Sequence, residues 1–424
     1  MKVLAGLLCL LLFGAVSRAE ELSLEMPPAE TQKEALELSG NLDARYSLIK
    51  SRNSSVLYAL QYYNRPLSDV LTSYRADFYL NGDYQTGDVG VHLKTYSGYY
   101  GASQTDFALY ELYGNVNISG NSFLLLGQKM YNWGKGYAFN PAGFVNPKKD
   151  PENPDQAQSG LLSMNYQYTK SFTRGALNNL SIDLILAPST NTINGKVAEA
   201  ENTGIAGKIY FLLWNTDIDM MGYYSRVNPK KYGIDFSRNV IPSLEIHGEF
   251  SRFINQPRYY LLNDSLRTEN IGGSSYLFGF RWLNRWNITT IGEYYRNEAG
   301  LSKAEFEEYH DFLAKAIASG NNIAVSGALN TSKTYFSNSN LMREYLYLKL
   351  SWQEPFNWLY FTPAVQLLYN LEDHSYYAGL PVSYKPITNL EFVFWPAVFA
   401  GGENTEYGSK QYESKAEFWA RFYF

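Results

Sequence analysis

The 424-residue sequence has one cysteine and four histidines, and beyond its first twenty positions it has no apolar run near the roughly 20 residues that a membrane-spanning helix requires. Each scarcity excludes something. Without such runs the chain is not a bundle of transmembrane helices. Cys9 lies in an apolar N-terminal stretch that reads as a cleaved leader, so the mature chain is expected to hold no disulfide, no thiolate metal site and no attached c-type haem. Charged residues are 18% of the chain and the formal net charge is -5, with none of the basic surplus that nucleic acid attracts. His92, His247, His310 and His374 show no metal-ligand spacing, and no serine or threonine sits in a nucleophile elbow or phosphate loop. The sequence therefore predicts no enzyme, no cofactor and no metal.

Aromatic side chains are abundant. They make up 16% of the residues, with 37 Tyr, 24 Phe and 8 Trp, while the mean hydropathy is a polar -0.31. That content is too apolar for a disordered coil. Tyrosine pairs such as Tyr62–Tyr63 and Tyr294–Tyr295 suit the two membrane interfaces, where a ring with a polar tip is at home.

At the N-terminus, Lys2, the apolar stretch Leu4 to Val16, and the small residues Ser17 and Ala19 read as a signal peptide over 1–19, cut after Ala19. Residues 20–38, with Pro27, Pro28 and several glutamates, read as a polar periplasmic leader, and 39–424 as the folded body. In that body the dominant pattern is alternation with period two, as in Arg343, Tyr345, Tyr347 and Lys349 interleaved with Leu346, Leu348 and Leu350. About eighteen such segments occur, with sixteen as the alternative. Tight turns are expected at 81–85, 119–121, 215–216, 285–287, 354–357 and 386–389, and longer connections at 50–69, 132–159, 188–202, 254–273, 298–341 and 401–411. Short and long connections alternate, as in an all-β, antiparallel, up-and-down transmembrane barrel of the bacterial outer membrane. One helix is predicted in the longest connection, over Ser302 to Ser319, with Ser302 as N-cap and Glu305 three residues on.

The last strand is amphipathic to its final residue. Phe418, Phe422 and Phe424 share one face, and this ending resembles the signal by which bacterial outer-membrane barrels are recognised by their assembly machinery. The opposite, lumen-facing set, extended to every strand, comprises Asp43, Arg45, Arg75, Asp77, His92, Lys94, Glu111, Lys208, Asp219, Asp235, Glu245, His247, Glu249, Arg281, Glu293, Lys349, Lys415, Glu417 and Arg421. Both signs occur in similar number, so the wall does not declare an anion or cation specialist.

The connection from Asn132 to Gln158 combines Trp133-Gly134-Lys135-Gly136, Phe139-Asn140-Pro141 and Asn146-Pro147 with a polar run from Lys148 to Asp155. An ordered loop of this length is uncommon unless functional. Together with the preceding Gly127-Gln128-Lys129, residues 127–147 resemble the corresponding region of large outer-membrane porins of the alginate-export type. The resemblance implies a loop folded into the pore, with Trp133, Lys135, Lys148 and Lys149 as constriction candidates. Two functions follow as expectations. One is a channel for passive or substrate-selective diffusion of small hydrophilic solutes. The other is a non-conducting barrel that serves as scaffold or sheath for a surface polysaccharide or a periplasmic redox protein. Membrane lipid, lipopolysaccharide and the barrel-assembly machinery are the expected partners.

Overall fold

Eighteen staves close a single antiparallel barrel. The computed structural model describes residues 35–101, 104–188, 194, 203–335 and 341–424. The signal peptide, its cleavage after Ala19 and the leader up to residue 34 lie outside the described residues. Residues 35–38, assigned to the leader by sequence, are already strand.

The strands are β1 (Ala35–Ser51), β2 (Val70–Thr86), β3 (Val89–Tyr100), β4 (Gln104–Ser119), β5 (Ser122–Lys129), β6 (Leu161–Ser171), β7 (Leu177–Ala187), β8 (Gly204–Leu213) and β9 (Thr216–Tyr224). The second half comprises β10 (Lys230–Ile241), β11 (Leu244–Leu262), β12 (Ser265–Leu283), β13 (Ile288–Asn297), β14 (Glu344–Trp352), β15 (Phe361–Asn370), β16 (Tyr376–Gly379 and Val382–Ile387), β17 (Leu390–Ala400) and β18 (Tyr412–Tyr423). The two pieces of β16 form one stave broken at Leu380-Pro381, since each pairs with both β15 and β17. Every strand pairs with its sequence neighbours, and β1 pairs with β18 to close the ring. Among the described residues, closure leaves no strand without two neighbours, which is what hydrocarbon demands of a strand-built membrane protein.

Register carries one face around the whole wall. Asp77 opposes Asp43, which opposes Arg421, and on the far side Asp219 opposes Asp235, which opposes Glu249. These side chains point inward. The other face is a belt of exposed apolar side chains, among them Leu42, Leu184, Phe250, Phe278, Leu348, Val365, Phe394 and Phe418. Alternation along each strand thus separates a wet interior from a lipid-facing exterior.

Two expected connections are strand instead. Asn81 to Gln85 continues β2, and the turn lies at Gly87-Asp88, with Gly87 at a φ of 53°. Residues 254–273 form the upper half of the β11–β12 hairpin, closed by Asn263 and Asp264 with φ of 52° and 58°. Two successive left-handed residues make the twist-matched two-residue hairpin turn. Pro257 and the glycines at 272 and 273 are absorbed by a register shift between Phe253 and Gln256. The 353–360 turn folds outward, where Phe356 meets Trp352 with ring centroids 5.2 Å apart and Trp358 stacks on Phe361 at 4.2 Å.

Among the described residues, three helices gather at the end of the barrel that carries the long connections. They are α1 (Val56–Gln61), α2 (Lys303–Ala318) and α3 (Asn322–Tyr335). Ser302 and Glu305 form the reciprocal capping box of α2. The apolar stripe of α2, Phe306, Tyr309 and Leu313, is buried against Leu57 and Leu60 of α1, Val325 and Ala328 of α3, and Tyr345 and Phe399 of the wall. Sequence located α2 but not α1 or α3.

Candidate functional site: an inward loop seated on two buried carboxylates

The chain leaves β5 at Lys129 and returns at Leu161, and the loop between runs along the inner wall. Its seat is built from two glutamates. Glu249 on β11 accepts backbone N–H bonds from Lys135 and Gly136, both at 2.6 Å, and from Ala142 at 2.9 Å. Glu293 on β13 accepts from Ala138 at 2.9 Å and from Tyr137. Both carboxylates are almost fully buried, at 2% and 3% exposure. A buried carboxylate is costly unless charge-assisted bonds replace water, and a run of amide N–H groups supplies them.

Glycine allows this close approach. Gly134 has a φ of 91°, and a Cβ there would sit 2.9 Å from Glu249 Oε1. A Cβ on Gly136 would press into the Phe139 carbonyl and lie 2.8 Å from Leu277. Gly279 on β12, between the two glutamates, leaves room for His247, whose Nε2 lies 3.2 Å from Glu293 Oε1. Next along the loop, Phe139 stacks on Tyr295 at 4.4 Å and enters the same apolar cluster as the helices.

The four constriction candidates occupy different places. Trp133 is buried at 3% exposure, among Tyr131, Ala142, Val145 and the wall residues Ile185 and Met221. Lys135 reaches Asp219 at 2.7 Å and Asp235 at 3.8 Å. Burial alone would lower the Lys135 ammonium, but those carboxylates outweigh it and leave its pKa raised. Lys149 donates to the carbonyls of Gly136 at 2.6 Å and Tyr137 at 3.1 Å, and burial lowers its pKa. Lys148 is the exposed member. The far end of the loop is tied by Asp155 to Lys349 at 3.3 Å, by the Glu152 carbonyl to Gln366 at 2.7 Å, and by the ion pair of Glu152 with Lys410.

A second inner surface lies along β18, β1 and β2. Asp43 and Asp77, both fully buried, bind a ladder of guanidinium groups. Arg421 reaches Asp43 at 2.8 Å, Arg45 reaches Asp43 at 2.8 Å and Asp77 at 2.9 Å, and Arg75 reaches Asp77 at 2.5 Å. Arg45 lies over Trp419 at 4.0 Å and Arg75 over Tyr100 at 4.9 Å. Aromatic rings thus brace the arginines from the side. Elsewhere on the inner face, His92 pairs with Asp83 at 2.6 Å, and Lys208 bridges Asp183 and Asp219 at 3.9 and 3.7 Å. Lys94 opposes Glu111, Glu245 opposes Arg281, and Lys415 lies 3.5 Å from Glu417. Among the described residues no group of three or more His, Cys, Asp or Glu is placed to hold a metal ion.

Sequence reasoning put Glu249 and Glu293 on the inner wall but missed what they bind. Residues 107 to 156 positions away in sequence supply the donors. The only local signal is the Gly134-Lys135-Gly136 spacing.

No family model matches the sequence, and no curated protein resembles it in sequence. Solved structures do resemble it in shape. OccK2 of Pseudomonas aeruginosa, solved in complex with glucuronate, aligns with a TM-score of 0.53 at 9% identity, covering 92% of this chain and 98% of that one. The fold is that of a porin-like barrel. OccD1 gives a TM-score of 0.49 at 10% identity, over 92% and 95% of the two chains. A Rh. blastica porin mutant gives 0.45 at 12%, over 92% and 100%.

Proposed function

We propose that this chain is an outer-membrane channel for small hydrophilic solutes, in which the loop between β5 and β6 narrows the lumen. The observation that carries this reading is the seating of the loop on Glu249 and Glu293. Five amide donors converge on two buried acceptors and hold the loop inside the barrel. A loop that only shielded the rim would have no need of such a seat. The charged inner face and the apolar outer belt support the same reading. The arginine ladder of Arg45, Arg75 and Arg421, with Lys148, is proposed as the charge that passing ions meet. Grouping the chain with alginate-export-type porins belongs to the same proposal, supported by the inward course of the loop that carries the 127–147 motif. Lipopolysaccharide and the assembly machinery are its proposed partners, the latter through Phe418, Phe422 and Phe424, and no catalytic role is assigned.

Planar-bilayer recording of the refolded chain tests the reading. Discrete ohmic steps, enlarged when residues 142–153 are removed, are the expected result. Silence of both the intact and the shortened chain would instead support a barrel that houses a partner.

A further inference from the structure

The lipid-facing side of β7 to β11 carries a hollow of about 660 Å3. Register explains it. Leu184 opposes Gly207, Gly207 opposes Gly222, Gly222 opposes Tyr232 and Tyr232 opposes Arg252, so one row of outward positions crosses five strands with two glycines in its middle. The walls are apolar, with Ile209, Met220, Ile234 and Phe250 beside the glycines. Nothing in the barrel itself demands glycine there. A Cβ on Gly207 would lie 3.7 Å from Leu184 and one on Gly222 4.0 Å from Tyr232, both ordinary contacts, and neither residue takes a left-handed φ. Glycine inside a strand weakens it, and where the backbone does not need it the open space admits a close approach from outside.

The far end of the row is basic. Arg252 is exposed and shares its outward set with Phe250 and Ile254, both exposed as well. Lys230 opposes Ile254, shares its set with Tyr232 and Ile234, and holds its ammonium over the Tyr224 ring at 5.2 Å. The hydrogen bond from Arg252 to the Ser274 hydroxyl is long, at 3.4 Å, and Glu298 is turned to the Ser274 amide at 2.7 Å. Neither Lys230 nor Arg252 makes an ion pair among the described residues. Lys230 opens β10 at the end of the barrel that carries the long connections, and Arg252 lies one outward row below it. Cations on a lipid-facing wall lay their stems along the apolar surface and meet anionic headgroups at its edge.

We propose that this face binds one lipopolysaccharide molecule of the outer leaflet, with phosphate on Arg252 and Lys230 and an acyl chain laid in the hollow over Gly207 and Gly222. The site rests on the outer-membrane part of the reading above and does not require conduction. Its two parts match the two parts of such a lipid, since guanidinium and ammonium form charge-assisted bonds to phosphate and the apolar trough suits a hydrocarbon chain. A two-fold contact with a second copy suits it less. With both barrels upright in one membrane, that contact would set like cations at the same height against each other.

Native mass spectrometry of the full chain in detergent, with diphosphorylated lipid A, its dephosphorylated form and phosphatidylglycerol as probes, tests the site. Lipid A is expected to bind about tenfold more tightly than either of the others. Arg252→Ala should weaken its binding about fivefold, Lys230→Ala about threefold, and Gly222→Leu, which fills the hollow, about fivefold, each with the heat-modifiable band intact. Arg285→Ala, which removes an exposed cation from the β12–β13 turn at the other end of the wall, should change nothing. Equal binding of either other lipid, an equal loss in Arg285→Ala, or full binding by Arg252→Ala and Gly222→Leu would overturn the proposal. So would a lipid-free dimer of the parent that Gly222→Leu splits, because the face would then be a subunit contact. Bilayer recording in parallel separates the site from the pore. Lipid A binding by a silent chain overturns the channel and keeps the site, and conductance without a preference for lipid A does the reverse.

Discussion

Gly136 donates its backbone N–H to Glu249 Oε1 across 2.6 Å, and the position tolerates no side chain. Glycine and carboxylate therefore act as one device. Glu249→Gln replaces a charged acceptor of three N–H groups with an amide, at a cost of about 1–3 kcal/mol. Gly136→Ala should unseat the same segment sterically. Both variants are expected to release Lys149 from its loop carbonyls and open the chain beside it to trypsin in folded protein, where the parent resists. Equal cleavage of parent and variants would show that the loop is not held by this contact.

The seam offers a second test. Arg421 holds Asp43 with two bonds, at 2.8 and 2.9 Å, across the β1–β18 closure. Beside it, Phe424 exchanges backbone bonds with Gly40 and its ring stacks on Phe78 at 5.8 Å. Asp43→Asn leaves the partly buried Arg45 and Arg421 short of a counter-charge and should cost about 1–3 kcal/mol. Removal of Phe424 should lower the yield of the heat-modifiable, SDS-resistant band. Full yield from a chain lacking both Phe422 and Phe424 would argue against an assembly role for the terminus.

Ion selectivity should follow the ladder more than Lys135 and Lys149 of the loop. Lys135 is neutralised by Asp219 and Lys149 is turned to loop carbonyls, whereas Arg75 keeps a third of its side chain exposed, at 32%. Arg75→Ala is expected to move the reversal potential toward cations, more at low salt, where the Debye length exceeds about 10 Å. Lys149→Ala should shift it less. The opposite ranking would return the filter to the loop.

A pH dependence is expected at the mouth. Glu406, in the 401–411 connection, accepts from the Tyr345 hydroxyl at 2.8 Å and from Asn370 at 2.7 Å, and burial pushes its pKa up from 4.5 to about 7. The folded form therefore keeps a proton that the unfolded form has lost between those values. Stability is full below about pH 4.5 and declines as pH rises to about 7, by on the order of 3 kcal/mol. Protection of the 401–411 amides, taken relative to the intrinsic exchange rate at each pH, should accordingly be greater at pH 5 than at pH 8, and Glu406→Gln should flatten the difference.

Much of the wall was legible because period-two alternation reports directly on a two-faced strand. The segments around Ala44, Ala76, Gly292 and Leu348 lie where the pattern put them. The failures have local causes. Asn81-Gly82-Asp83 has turn composition, yet Gly82 opposes Leu38 of β1 within a continued strand. Asn255 and Pro257 look like breakers, and the bulge lets the hairpin run through them. Helix α3 is built largely from small and polar residues, so its apolar stripe is faint until α2 covers it. For the inward loop, composition pointed to function, but the seat joins residues that no local pattern connects.

That seat also bears on timing. The two seat glutamates lie 107 to 156 residues beyond the loop amides that they hold, and Lys410 lies 258 beyond Glu152. Closing such long intervals is entropically slow, and contacts of this separation form late. When β5 and β6 first pair, the loop has neither of its acidic acceptors, because β11 and β13 are not yet in place. It must wait as an unsatisfied strand connection and then dock while the cylinder curls shut, so the seating of this one segment is a natural clock for the completion of the barrel.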